Sequence, residues 1–148
     1  MTEVRENGFT ADLPGTWEQA EESEQGTFVF LHPETGDTLT VALLSVKPVY
    51  ALADHKRLLD DYQNHRVQFE KGEIPALEQS VPTSWQDGET IEGEWSGADE
   101  TAGRRLRHRV MFVGNVLADF CYAASELDEA AFDERAGEVL TAVGVDAG

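Results

Sequence analysis

The sequence predicts an α+β domain in which an antiparallel sheet of about six or seven strands lies between helices. Segments in which apolar and polar residues alternate fill most of the chain, as expected for strands with one buried face. Two stretches, residues 50–71 and 127–143, instead repeat their apolar residues at helical spacing. With 148 residues the chain is long enough for one domain, with a core at residues 8–145, and too short for two.

The N-terminal part is predicted to form a strand and a hairpin. GFTADLPGTW alternates apolar with polar residues and then turns at Pro14-Gly15, which indicates a first strand. The acidic residues 18–26 are predicted to be a loop. TFVFLH and TLTVALLSV then form a hairpin through PETGD. The apolar run 41–44 predicts that the second of these strands is central and covered on both faces.

The remainder is predicted to contain a helix, four strands and a closing helix. The first helix ends near Gly72 and Pro75. The strands are ALEQSV, TIEGEWS, RRLRHRVMFV and VLADFCYAA, and the last two join through a type II′ turn at Gly114-Asn115. Ser125 is the expected N-cap of the closing helix. The buried stripe of that helix is Phe132, Ala136, Val139, Leu140 and Val143.

The charge balance of the chain argues against a nucleic-acid partner. Twenty-nine acids and eleven bases give a formal net charge of −18, and this field repels a phosphate backbone. Such an excess of acids over lysines is also typical of halophilic proteins, and we expect a bacterial or archaeal source.

The sequence predicts a cytoplasmic protein that does not insert into membranes. Its single cysteine, Cys121, cannot form an internal disulfide, which agrees with a reducing compartment. The N-terminal residues lack the features of a signal peptide, and no apolar run approaches the roughly 18 residues of a membrane span.

The basic stretch GRRLRHR, residues 103–109, is interpreted as a strand whose neighbours carry matching carboxylates. Opposite charges across strands stabilise a sheet by about 0.2–1 kcal/mol per pair, so this interpretation needs no anion site. The preceding strand is expected to align Trp95 with Leu106 and Ile91 with Val110, bringing Glu94 to Arg107 and Glu92 to Arg109.

The turn at Gly114-Asn115 fixes which residues of the last two strands face each other. The resulting pairs are Phe112 with Leu117, Val110 with Asp119, His108 with Cys121, Arg109 with Phe120 and Arg107 with Tyr122. The last two pairs favour arginine stacking on aromatic rings.

Five residues are candidate contacts for a partner or ligand. Arg104 and Arg105 are nearest the loop at 97–103. Asp119 interrupts an apolar strand, so it lies at a sheet edge, pairs with an arginine or lines a pocket. Trp85, within the turn-rich PTSWQDG, is a partner anchor if it is exposed. The fifth candidate is His108.

No pattern in the sequence amounts to a catalytic or metal-binding motif. His108 beside Cys121 suggests an activated thiolate, but the mid-strand position favours a buried, inert cysteine. Asp61 and His65 lie one helical turn apart, and no third ligand is fixed by spacing. We therefore predict no catalytic residue, no metal and no cofactor, and a protein that is not an enzyme.

The element order, together with Phe9, Leu13, Pro14 and Trp17 of GFTADLPGTW, resembles the PsbP-like superfamily. That group includes the photosystem extrinsic proteins, the Ran-binding import factors, the DcrB-like and LpqN-like proteins and the Eag chaperones. The resemblance covers about residues 8–145 and implies a sheet sandwiched between helices, in a domain that holds another protein. The four matching positions form the fold, so the resemblance carries no functional residue to this chain.

Three functions from different classes remain open at this point. The first is a non-enzymatic domain that binds a protein partner as an adaptor, chaperone or immunity-type protein, which predicts an exposed apolar patch. The second is a small-ligand binder or weak enzyme with a pocket between sheet and helix, where Asp119, His108 and Arg105 converge. The third is a structural protein that self-associates into a homodimer.

Overall fold

The computed structural model describes residues 1–6, 8–22, 26–46 and 52–146. The described part consists of strands and two helices, α1 and α2. In chain order the elements are β1 (Thr2–Glu6), β2 (Phe9–Leu13), β3 (Glu18–Glu22), β4 (Thr27–Leu31), β5 (Thr38–Ser45), α1 (Leu52–Glu73), β6 (Glu78–Gln79), β7 (Thr83–Asp87), β8 (Thr90–Asp99), β9 (Arg104–Val113), β10 (Val116–Ser125), α2 (Glu129–Leu140) and β11 (Val143–Val145).

The strands form two antiparallel sheets. The main sheet has eight strands in the order β3-β4-β5-β10-β9-β8-β6, with β7 also paired to β8, and the small sheet has the order β1-β2-β11. α1 lies on one face of the main sheet, while α2 and the small sheet lie on the other. The predicted α+β class, with an antiparallel sheet between helices, is confirmed. The main sheet is larger than predicted because two polar segments also pair at its edges.

The two faces of the main sheet differ in chemistry. The face toward α2 carries an apolar core dominated by aromatic rings. The face toward α1 carries a smaller core around Leu59, Trp95 and Phe112, together with buried polar side chains. The aromatic residues of the first core are Phe9, Trp17, Phe28, Phe30, Phe120, Tyr122 and Phe132.

Several predicted element boundaries are wrong. Residues 18–22, expected in a loop, form β3, because pairing with β4 satisfies their backbone despite three glutamates. The closing helix is capped by Asp128, whose carboxylate accepts from the Ala131 N–H, and not by Ser125, which ends β10. Val143 is buried as expected, but it belongs to β11. No strand was predicted at β1 or β7.

β5 is central in the main sheet, between β4 and β10, as the apolar run 41–44 predicted. The strand was also predicted to be covered on both faces, but it is not covered near its C-terminal end, where Leu44 is 44% exposed. The α1 face of the sheet is therefore more open near β5 than the α2 face among the described residues.

The predicted pairing of β9 with β10 is confirmed at every position, including His108 opposite Cys121 and Val110 opposite Asp119. The pairing of β8 with β9 is shifted by two residues from the prediction, so that Trp95 faces His108 and not Leu106. A shift of two keeps each side chain on its predicted face, because successive residues alternate between faces.

Gly114 adopts a φ of 60°, as the predicted turn requires at its first central position. We expect Gly114→Ala to lower the free energy of unfolding by about 1–2 kcal/mol, because a Cβ is strained at this φ. Gly137→Ala is the matched control: this glycine lies in α2 with open space around its Cα, and alanine there should stabilise by about 0.5–1 kcal/mol. Urea unfolding of both variants tests the pair, and equal effects would contradict the turn assignment.

Candidate functional site

The first candidate site lies between α1 and the main sheet. α1 packs across β7, β8 and β9, and it carries Tyr62 and Glu70 eight residues apart, close to two helical turns and therefore on one side of the helix. These side chains meet His108 of β9 and Asp119 of β10. We call the group formed by Tyr62, Glu70, Trp95, His108 and Asp119 the polar centre.

His108 is the middle residue of the polar centre and is 2% exposed. Its Nδ1 lies 2.7 Å from Oδ1 of Asp119, and its Nε2 lies 2.5 Å from Oε2 of Glu70. The imidazole stacks on the indole of Trp95, with the ring centroids 3.9 Å apart and the planes 11° from parallel. The ring is thus fixed at both nitrogens and on one face.

The remaining oxygens of both carboxylates also accept hydrogen bonds. The Tyr62 hydroxyl donates to Oδ2 of Asp119 at 2.6 Å, and the Trp95 indole N–H donates to Oε1 of Glu70 at 2.9 Å. Each carboxylate is therefore hydrogen-bonded at both oxygens, which offsets part of the cost of its burial.

The charges of the polar centre stabilise one another. Burial by itself lowers the pKa of His108, but the charge and hydrogen bond of Asp119, together with the contact of Cys121, outweigh burial and hold that pKa well above its usual value of 6.5. Burial raises the pKa of Asp119 and of Glu70, and the charge and hydrogen bonds of His108 reverse this, so both pKa values lie below their usual range. His108 is therefore an imidazolium between two carboxylates, with both ring nitrogens donating.

Cys121 lies beside the polar centre. It is half-buried on β10, opposite His108, and a sulfur, a nitrogen and an oxygen from Cys121, His108 and Glu70 lie within 4.8 Å of one another. Cys121 is not paired in a disulfide. Because His108 and Asp119 are almost fully buried, the arrangement favours an ion or a structural role over chemistry on an organic substrate.

The structure brings together only some of the residues singled out from sequence. His108 and Asp119 meet, whereas Arg105 faces the opposite side of the sheet, where it pairs with Glu100 at 2.9 Å and donates to the carbonyl of Leu127. The pocket in which all three would converge is therefore not formed. Arg104 is exposed at the start of β9, opposite Ser125.

The sequence did not single out Glu70, nor Tyr62 as a polar contact. Phe69 belongs to the apolar residues that repeat at helical spacing in residues 50–71, which predicts that it is buried, yet it is 52% exposed, while Glu70 beside it is buried. The helix is rotated toward its polar residues because Glu70 finds donors on β8 and β9. No pattern in the sequence marked Glu70, because its donors lie on strands far away in the chain.

The second candidate site is a groove on the α2 face of the main sheet, between α2 and the edge formed by β6 and β7. Arg107 lines all three of its adjoining cavities. Trp85, 39% exposed, lies on the edge wall of the groove, and Leu140 lies on the α2 wall. We call this feature the α2 groove.

Arg105, Arg107 and Arg109 of β9 pair with carboxylates, but only Arg109 uses one on a neighbouring strand, as was interpreted from sequence. Arg109 donates to Glu92 from Nε at 3.0 Å and from Nη2 at 2.6 Å, which confirms that predicted pair. Arg107 pairs with Asp133 of α2 and not with Glu94, because the shifted register moves Glu94 opposite Arg109. Its guanidinium stacks over Phe132 of α2.

Comparison with known proteins identifies the fold. The sequence matches no protein-family model, and no curated protein sequence matches it. The solution structure of cyanobacterial PsbP (CyanoP) from Synechocystis sp. PCC 6803 superposes with a TM-score of 0.67 at 12% identity, over 94% of this chain and 87% of that one. The chain adopts the PsbP-like fold.

A second solved structure has a similar fold. LpqN of Mycobacterium tuberculosis, a protein involved in cell envelope biogenesis, superposes with a TM-score of 0.58 at 13% identity, over 97% of this chain and 89% of LpqN. The resemblance inferred from sequence is confirmed at the level of fold. Within the described residues, no helix is long and apolar enough to cross a bilayer.

We expect the stability of the protein to be greatest between about pH 4.5 and pH 6.5, the usual pKa values of glutamate and histidine. Because the pKa of His108 is raised on folding, its stabilising contribution is lost as the pH rises from 6.5 through the folded pKa. Because the pKa values of Glu70 and Asp119 are lowered, their contribution is lost on acidification.

Chemical unfolding across this pH range, in buffer containing EDTA, measures the effect. His108→Gln should reduce the fall in stability above pH 6.5, whereas His65→Gln, at an exposed position of α1, should leave it unchanged. A profile above pH 6.5 that is the same in wild type and His108→Gln would contradict the charged imidazole.

Arg109 and Arg107 should differ in their contribution to stability. The partner of Arg109, Glu92, has a side chain only 7% exposed, whereas the partner of Arg107, Asp133, is 49% exposed. Arg109→Ala leaves a buried carboxylate without its cation and should cost about 3 kcal/mol, while Arg107→Ala should cost about 1 kcal/mol or less. Urea unfolding measures both, and the reverse order would contradict the assigned roles.

Proposed function

We propose that the chain is a non-enzymatic domain that binds a protein partner, and that the α2 groove receives an extended, basic segment of that partner. The observation that carries this proposal is Trp85, a tryptophan 39% exposed on an edge strand and at the wall of an open groove. Tryptophan is enriched among the residues that dominate binding energy at protein interfaces.

The position of β7 suits an extended partner. Among the described residues, β7 pairs only with β8, so half of its backbone N–H and C=O groups have no partner in the sheet. An exposed edge of this kind can pair with an added strand. Val81, which is 84% exposed, continues the apolar surface just before β7.

The charge of the α2 groove favours a basic segment. Six acids and three arginines line its cavities. The three arginines, Arg105, Arg107 and Arg109, are already paired with Glu100, Asp133 and Glu92, which leaves three of the six acids without an arginine partner in the part of the chain that the structure describes. The net charge of −18 adds long-range attraction for a basic partner and speeds its association at low salt.

The PsbP-like fold supports the same class of function, because the superfamily that the sequence resembles contains domains that hold another protein. The alternative of a small-ligand site using Asp119, His108 and Arg105 is less favoured, since Arg105 lies on the other face of the sheet. The alternative function at the same edge is self-association, in which β7 pairs with a second copy of the chain. For the compartment we propose the cytoplasm, on the sequence features given above.

Selection from a display library of random peptides tests the proposal, followed by affinity measurements with the enriched peptides. We expect those peptides to be basic and to contain an apolar residue for the wall of Trp85. Trp85→Ala should weaken binding by about tenfold or more, since truncation of an interface anchor costs upward of about 1.4 kcal/mol. Glu94→Gln should weaken binding and reduce its dependence on salt.

Phe69→Ala is the matched control, because Phe69 is an exposed aromatic residue of α1, away from the α2 groove. Binding that survives Trp85→Ala but is lost in Phe69→Ala would move the interface to α1. No enrichment of basic peptides, together with a dimer in sedimentation that Trp85→Ala dissociates, would replace the proposal by self-association.

A further inference from the structure

We propose that Glu70, His108 and Cys121 form a binding site for one zinc ion, with Asp119 and Trp95 orienting the first two ligands. The three donors come from α1, β9 and β10, and their ligand atoms lie within 4.8 Å of one another. This inference is independent of the α2 groove, which lies on the other face of the sheet.

The hydrogen bonds of the polar centre orient the donors as a metal site requires. Asp119 accepts from Nδ1 of His108, which leaves Nε2 to face Glu70, and the sulfur of Cys121 lies within 4.8 Å of a ring nitrogen of His108 and of an oxygen of Glu70. Trp95 holds Oε1 of Glu70, which leaves Oε2 directed at the same point. A carboxylate on the far nitrogen of a ligating histidine fixes the ring and raises its basicity in many metal sites.

The donor set selects zinc among the common divalent ions. Thiolate sulfur and imidazole nitrogen are poor ligands for Mg²⁺ and Ca²⁺, which prefer oxygen, whereas Zn²⁺ accepts sulfur, nitrogen and oxygen together. Three protein ligands leave the fourth tetrahedral position of the ion to a water molecule.

The required movement is small. At bond lengths of about 2.0–2.3 Å, tetrahedral geometry places ligand atoms about 3.3–3.8 Å apart. The present 2.5 Å contact of Glu70 with His108 therefore opens by about 1 Å as the ion enters, and Cys121 approaches by a similar amount. Rotation of the Glu70 side chain at the C-terminal end of α1 accommodates this change.

The charge of the buried group is unchanged by this exchange. In the structure described here, His108 is an imidazolium between two carboxylates, and zinc takes the place of the proton on its Nε2 and of the thiol proton of Cys121. Two protons leave as one doubly charged ion enters, and the protons go to the solvent. Cys121 is half-buried, whereas the histidine and the two carboxylates are buried, so the ion would enter past Cys121.

Titration of the full-length, EDTA-treated protein with zinc chloride in competition with a chromogenic chelator measures affinity and stoichiometry. We expect one zinc ion per chain, and a rise in thermal stability that grows with zinc concentration. Cys121→Ser and Glu70→Gln should weaken binding by about 100-fold or more, and Asp119→Asn by about 10–100-fold. The Asp61→Asn, His65→Gln double variant, on the exposed side of α1, should bind as the wild type does.

Cobalt substitution provides a readout that does not depend on the folding of a variant. Co²⁺ bound to wild-type protein should show intense visible bands of a tetrahedral ion and a sulfur-to-metal charge-transfer band, and the charge-transfer band should be absent in Cys121→Ser. Absence of that band in the wild type would overturn the proposal. Zinc binding that is lost only in the Asp61, His65 double variant would also overturn it, by assigning the ion to the surface of α1.

Discussion

The polar contact of α1 with the main sheet centres on one interaction, the imidazolium of His108 held between Asp119 and Glu70. α1 has few apolar residues on its inner side, and much of what it buries is polar, including Gln63 and Glu70. Burial of such groups is unfavourable unless each finds a partner. The partners come from β7, β8, β9 and β10, so the helix is positioned by hydrogen bonds and charge as much as by apolar contact.

This arrangement makes the α1 layer specific but sensitive to change. Removal of one member of a buried charged group leaves the others without compensation, at a cost of several kcal/mol. The α2 layer behaves differently, since its contact with the sheet is mainly an aromatic core, and the carboxylates buried there, Asp37 and Glu92, are each paired with an arginine. The same sheet thus carries a largely apolar face that stabilises the fold and a polar face that fixes the position of a helix.

The alternation of apolar and polar residues was sufficient to predict the central strands, both helices and the facing of His108 with Cys121. It could not reveal β3 or β7, because short polar strands at an edge are stabilised by their neighbours and not by their own side chains. The burial of Glu70 could not be predicted from the sequence for a similar reason. Its donors, Trp95 and His108, lie on strands far away in sequence.

The alternation of side chains along a strand was sufficient to predict which face of the sheet the arginines occupy. To predict their partners, the register of β8 with β9 also has to be known. Arg107 and Arg109 face α2, as any residues two apart on that strand must face together. A loop of four residues between β8 and β9, closed by Gly103 at a φ of 65°, determines which glutamate lies nearest to each arginine. The sequence pattern did not determine the length of this loop. The observed pairing of β8 with β9 therefore differs from the predicted pairing by two residues.

The two edges of the main sheet are unequal, and this inequality favours β7 as the edge that a partner uses. β3, at the opposite edge, contains three glutamates in five residues, and charge of one sign on an edge strand opposes pairing with another strand. β7 has one acid, Asp87, at its end next to the turn, and Trp85 at its middle.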